Sequence, residues 1–204
     1  MLQQIETMLR LQDDMNSRIH PQWRGQGNAW YRAIWVESAE MLDHFGWKWW
    51  KKQTPDLEQV RLELVDIWHF GLSILLEESV PAEDVARGLA AGLAAERNED
   101  FRADLEAFVA QTLHSRGFDL TGFARLMQGV ELSAVELFHR YVGKNVLNFF
   151  RQDHGYQDGS YRKVWQGRED NDHLVEIVST LDAASSDFPK CLYAELQQRY
   201  QQTG

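Results

Sequence analysis

The chain has 204 residues, 44% of them hydrophobic and 25% charged, which suits a folded single domain with a sizeable core and argues against disorder as its main state. A formal charge of −10 without any basic run disfavours nucleic acid as a partner, and a lone cysteine, Cys191, excludes an internal disulfide or a thiolate cage for zinc. There is no apolar run long enough for a bilayer and no secretion signal over the first residues, so the expectation is a cytoplasmic protein without a membrane partner.

Proline is scarce and apolar residues recur at spacings of three and four, which predicts an all-α fold. In chain order the first helix spans about 2–18, and the Pro21, Gly25 and Gly27 segment breaks it. A second helix runs from about Trp30 to Trp47. Thr54 and Pro55 read as the N-cap and first position of a third, which continues to about Glu78. Pro81 opens an Ala-rich stretch ending near Asn98, and Phe101 to Thr112 form another amphipathic helix stopped by Gly117. Ser133 and Glu136 make a capping-box pattern that opens a long helix to about His154. The polar stretch Tyr156 to Asp170 reads as a loop. A helix containing Leu174, Ile177, Val178 and Leu181 follows, then a last one from about Pro189 to Gln201. The domain reading is a single unit over 1–204, a helical bundle with a less regular helical insertion, or subdomain, over 79–130.

Glu37 and Glu40 lie three apart on the second helix, and Glu63 and Asp66 three apart on the third, so each pair shares a face. A loop of about ten residues between the helices predicts an antiparallel pair with the two acidic faces confronting each other. With 31 acids in 204 residues, pairs at this spacing also arise by chance as solvated helix faces. Context favours function here. Between Leu62 and Leu76 the polar side chains are Glu63, Asp66, His69 and Ser73, set among large apolar residues. Clustered carboxylates in such surroundings repel one another unless a cation neutralises them, and hard oxygen ligands suit Mg²⁺, or Mn²⁺, over zinc. Such a site can hold a triphosphate through its metals and activate a water.

On the long helix, Lys144, Asn148 and Arg151 share a face, with Asn145 and Gln152 beside it. Tyr161, Arg162, Lys163, Trp165, Arg168 and Asn171 follow in or near the glycine-containing loop. These groups suit phosphate oxygens, although a solvated face and a surface loop would also account for any one of them. Near the start of the chain, Gln12 and Asn16 are one turn apart, and their amides can read both donor and acceptor edges of a base. Trp47, Lys48, Trp49 and Trp50 offer aromatic surface that suits a base, a core or a subunit contact.

The strings WVESAEMLDHFGWKWWKK and RLELVDIWHF, followed later by KNVLNFFRQDHGYQDGSYRKVWQGREDN, resemble the dimeric all-α dUTPases, within the all-α nucleoside triphosphate pyrophosphatases. The resemblance covers roughly 8–76 and 141–175. It implies hydrolysis of dUTP, and also dUDP, to dUMP, with Glu37, Glu40, Glu63 and Asp66 as Mg²⁺ ligands and Glu40 orienting or deprotonating the attacking water. It places Gln12, Asn16 and Trp49 near uracil, and Asn145, Arg151, Tyr161, Lys163 and Asn171 on the sugar and phosphate side. It further implies a homodimer. Two alternatives remain open: a pyrophosphatase of the same chemistry acting on dCTP or a non-canonical nucleotide, and a non-catalytic helical module that binds nucleotides.

Overall fold

A computed structural model describes residues 1–182, 185 and 187–202. The all-α expectation holds. The helices are α1 (Leu2–Ile19), α2 (Trp30–Phe45), α3 (Leu57–Glu77), α4 (Ala82–Ala94), α5 (Phe101–Ser115), α6 (Leu120–Gly129), α7 (Ala134–Asp153), α8 (Asp170–Thr180) and α9 (Phe188–Gln201). A short 3-10 turn, Trp23–Gly25, follows α1, and two strands of two residues each, β1 (Val164–Trp165) and β2 (Arg168–Glu169), pair antiparallel before α8.

Local chemistry explains where these elements begin, corrects one boundary and adds two elements, α6 and the hairpin. α3 is capped by Asp56 and not by Thr54: the Asp56 backbone N–H donates to the His44 carbonyl at 3.0 Å, which seats its carboxylate over the first turn to accept from the Gln59 N–H. α6 has no counterpart in the sequence reading, which takes 79–130 as a less regular helical insertion. Its two glycines, Gly122 and Gly129, are packing residues. A Cβ on Gly122 would meet the cap carboxylate of Asp119 at 2.5 Å, and one on Gly129 would meet the Phe101 ring at 2.6 Å. In the stretch read as loop, Gln166 and Gly167 both have positive φ (50° and 80°), the signature of a two-residue turn that matches strand twist, and so a hairpin forms. The expected capping box at the start of α7 is present: the Ser133 N–H and hydroxyl both donate to Glu136 Oε2, and the Glu136 N–H donates to Ser133 Oγ.

The chain divides into two compact units, residues 1–138 and 139–204. The first is built around α3, 13 of whose 21 residues are buried. Successive pairs along α2 and α3, Trp30 with Phe70, Glu37 with Asp66 and His44 with Glu63, run in opposite senses, so the two helices are antiparallel. α1 runs the same way as α3, matching Met8 to Trp68, Gln12 to His69 and Asn16 to Ser73. The segment 79–130 packs back on this frame, α4 on α6 and α1, and α5 on α2 and α6. Trp68 is fully buried against the Phe118 and Phe123 rings, and Arg102 of α5 donates to the Gly46 carbonyl at 2.7 Å while covering Phe45, which fixes the end of α2.

The second unit has its own core, with Leu147 and Phe150 of α7, Leu174 and Ile177 of α8, and Leu192 and Leu196 of α9. The hairpin is anchored in it by Trp165, which is fully buried and donates its indole N–H to the Arg162 carbonyl. Among the described residues, no helix is long and apolar enough to cross a membrane.

Candidate functional site

In the first unit the antiparallel pairing of α2 and α3 brings Glu37, Glu63 and Asp66 together, with one carboxylate oxygen from each lying within 4.8 Å of the others. Glu63 is buried; Glu37 and Asp66 are half-buried at the rim. The imidazole Nε2 of His44 lies 3.7 Å from Glu63 Oε1. Glu40 stands outside the group and is exposed. The cause is helical geometry. The buried stripe of α2 is Ile34, Ser38 and Met41, and three further residues beyond Glu37 rotate Glu40 about 60° farther from that stripe.

The three-residue group offers oxygen atoms alone. Ligand oxygens around Mg²⁺, each at ~2.1 Å, stand up to about 4.2 Å apart, close to the observed span, so a modest side-chain rotation fits the triad to one hard divalent cation.

The amides of Gln12 and Asn16 are buried in the same unit and are held by two groups that the sequence reading left without a role. Gln12 Nε2 donates to Asn16 Oδ1 (3.0 Å) and to Ser73 Oγ (3.2 Å), while Asn16 Nδ2 donates to the same hydroxyl (2.9 Å). Ser73 in turn donates to the His69 carbonyl, and His69 Nδ1 lies 2.8 Å from Gln12 Oε1, where it must carry the proton. Glu63, Asp66, Phe70 and Ser73 recur at intervals of three and four, so two of the carboxylates and the hydroxyl that anchors the amides occupy one stripe of α3. Phe70 lies between them with Trp30 stacked on it at 6.2 Å. Ten residues of helix separate Glu63 from Ser73, about 15 Å. Their signal in the sequence was polarity inside an otherwise apolar run. Trp49 is 90% exposed in the α2–α3 connection, packed edge-on against Trp50, which removes it from the core.

In the second unit, two of the expected phosphate-side residues, Arg151 and Tyr161, bond to a residue that the sequence did not single out, Asp170. Arg151 donates from Nε to Asp170 Oδ2 (2.8 Å) and from Nη2 to Oδ1 (2.9 Å), and the Tyr161 hydroxyl donates to Oδ2 (2.8 Å). Lys144 Nζ donates to Asn171 Oδ1 at 3.0 Å, and Arg151 Nη1 reaches Asn148 Oδ1 at 3.3 Å. Lys144 and Asn145 are buried. Lys163 stands apart, exposed and paired with Glu169 at 3.0 Å, although its carbonyl accepts the Asp170 backbone N–H. Burial is the strongest influence on Asp170 and opposes its charge. The Arg151 fork and charge, the Tyr161 hydroxyl and Lys144 together outweigh it and hold the carboxyl below its ordinary value. Burial, then the Asp170 charge and hydrogen bond, push Tyr161 well above the usual phenol range, so its hydroxyl keeps its proton.

The helices and the acidic α2–α3 pair place the chain among all-α folds that carry a carboxylate cluster between helices. A family model described as dUTPase matches residues 4–156, well over half of the chain, and the chain belongs to the dimeric-type, all-α dUTPase family. The match includes the carboxylates, Gln12, Asn16, Trp49, Lys144, Asn145 and Arg151, and ends before Tyr161, Lys163, Asp170 and Asn171. No curated protein matches the chain.

Proposed function

We propose that the protein hydrolyses dUTP, and also dUDP, to dUMP in a Mg²⁺-dependent reaction, with Mn²⁺ as a substitute. The observation that carries this reading is that one stripe of α3 bears Glu63 and Asp66, joined by Glu37 of α2, and further along Ser73, which holds the buried amides of Gln12 and Asn16 on α1: acids suit a metal-bound phosphate chain and amides suit a base. Glu37, Glu63 and Asp66 would hold the cation. When bound, it supplies positive charge against the phosphate oxygens and lowers the pKa of an adjacent water.

The remaining work belongs to the protein's own groups. Glu40, exposed one turn along α2, takes the proton of the attacking water on its carboxylate. Gln12 and Asn16, with orientations set by Ser73 and His69, direct amide groups at the uracil edge, and Trp49 covers the base from the α2–α3 connection. Lys144, Asn145, Arg151, Lys163 and Asn171 serve the sugar and phosphates through charge and directed N–H groups, and Tyr161 serves the sugar side through its phenol oxygen. The protein acts as a homodimer in the cytoplasm.

Pyrophosphate release measured with Mg²⁺ and each of dUTP, dCTP, dTTP and UTP tests the reading, alongside Glu40→Gln. The expected result is turnover of dUTP above the other three and a loss of about 10²-fold or more in kcat for the variant, the range for removing a general base. Turnover of another nucleotide would move the substrate, and turnover of none would overturn the assignment.

A further inference from the structure

The Asp170 side chain is completely buried, and a carboxylate so placed is costly unless several groups compensate it. Each of its oxygens takes one arm of the Arg151 guanidinium, and Oδ2 takes the Tyr161 proton as well. Three consequences follow from that geometry. The guanidinium plane is fixed, since both contacts of the fork lie at 2.8–2.9 Å. The single Tyr161 proton is committed to Asp170, so the phenol oxygen meets any ligand as an acceptor. The Asp170 backbone is itself pinned to the Lys163 carbonyl at the edge of the hairpin, and the adjacent Asn171 seats Lys144, which also draws on the Asp170 charge.

Together Lys144, Arg151 and Asp170 sum to one positive charge, held with little rotational freedom on α7 and the start of α8. A site for a flexible, highly charged phosphate chain gains from that arrangement, because the cost of ordering long cationic side chains has been met in folding and not at binding.

We propose that Asp170 is a positioning residue for phosphate binding: it fixes the Arg151 guanidinium, and is itself held by the Tyr161 hydroxyl, without touching the substrate. This rests on the reading of the second-unit cluster as the phosphate side of a nucleotide site. Asp170→Asn keeps the size and removes the fork, since an amide N–H placed at either oxygen position opposes a guanidinium N–H.

The test is calorimetric titration of the full-length protein, with Mg²⁺ present, by inorganic tripolyphosphate, comparing wild type, Asp170→Asn, Tyr161→Phe, Arg151→Lys and the Asp170→Asn/Arg151→Lys double variant. The expected result is binding weakened about tenfold or more by Asp170→Asn, with the double variant within about twofold of Arg151→Lys alone, because Asp170 acts through Arg151. A role confined to stability would lower the melting temperature of Asp170→Asn and leave its Kd unchanged at a temperature where it is folded, and that result would overturn the proposal. So would additive losses in the double variant, or no tripolyphosphate binding by wild type. Should Asp170→Asn fail to fold, Tyr161→Phe decides: weaker binding supports the proposal, and an unchanged Kd overturns it. Wild type that binds tripolyphosphate in this Asp170-dependent way but does not turn over dUTP would sink the dUTPase reading while leaving the positioning role intact.

Discussion

Ser73 is fully buried, accepts from the amides of both Gln12 and Asn16, and donates to the His69 carbonyl. A single hydroxyl thus adds a shared acceptor to two amides that also bond each other, with Gln12 held by His69 as well. Replacing it by alanine leaves two buried N–H groups without that acceptor, and each such loss costs about 1–3 kcal/mol. Ser73→Ala should therefore lower the urea midpoint of unfolding with an unchanged m-value, and an unaltered midpoint would show that the amides find other acceptors. The contrast between Glu37 and Glu40 is also a matter of single residues. Both were expected to face α3, yet the rotation of 100° per residue carries the second beyond the interface, toward solvent.

At the scale of elements, α3 organises the first unit because it is apolar around most of its circumference and polar along one narrow stripe. That composition forces neighbours on several sides, and α1, α2 and α6 supply them. The close approach of the following chain depends on Gly71, where an added Cβ would lie 2.5–2.7 Å from three carbons of the Phe118 ring. Phe118 in turn packs against Trp68, Phe108 and Phe123, so the ring has little room to yield. Gly71→Ala should destabilise the protein by about 1–3 kcal/mol through overpacking, despite the higher helix propensity of alanine. Thermal denaturation checks this, and a melting temperature equal to or above that of wild type would mean that the aromatic cluster repacks without strain. In the second unit, the hairpin plays a comparable part: it carries Trp165 into the core and delivers Asp170 to the first turn of α8, where Arg151 meets it.

For the molecule as a whole, the folded state gathers carboxylates that an unfolded chain keeps apart. Any cation that binds the gathered set therefore stabilises the fold, by about 2.7 kcal/mol when its concentration is 100 times Kd. The melting temperature should rise with added Mg²⁺, fall back with EDTA, and lose this response in Glu63→Gln. A response that persists undiminished in that variant would place the binding elsewhere.

Much of this was legible in the residues alone. The all-α class, the capping box at Ser133, and the acids and amides on their helices follow from periodicities and local hydrogen bonding that operate within a few residues of chain. Glu63 and Asp66 stood out because a polar stripe inside an apolar helix is hard to explain otherwise, and Glu37 and Glu40 because they repeat the same spacing on the helix before it. What sequence could not decide was which side chains meet across elements. Only tertiary structure separated Glu40 from the triad, made packing residues of Gly122 and Gly129, supplied Ser73 and His69 as anchors for the amides, and set Asp170 at the centre of the cationic cluster. The physical reason is range: helix propensity and caps are settled by neighbours in sequence, whereas the distance between Arg151 and Asp170, or between Ser73 and Asn16, depends on how cores of packed side chains bring remote backbone together.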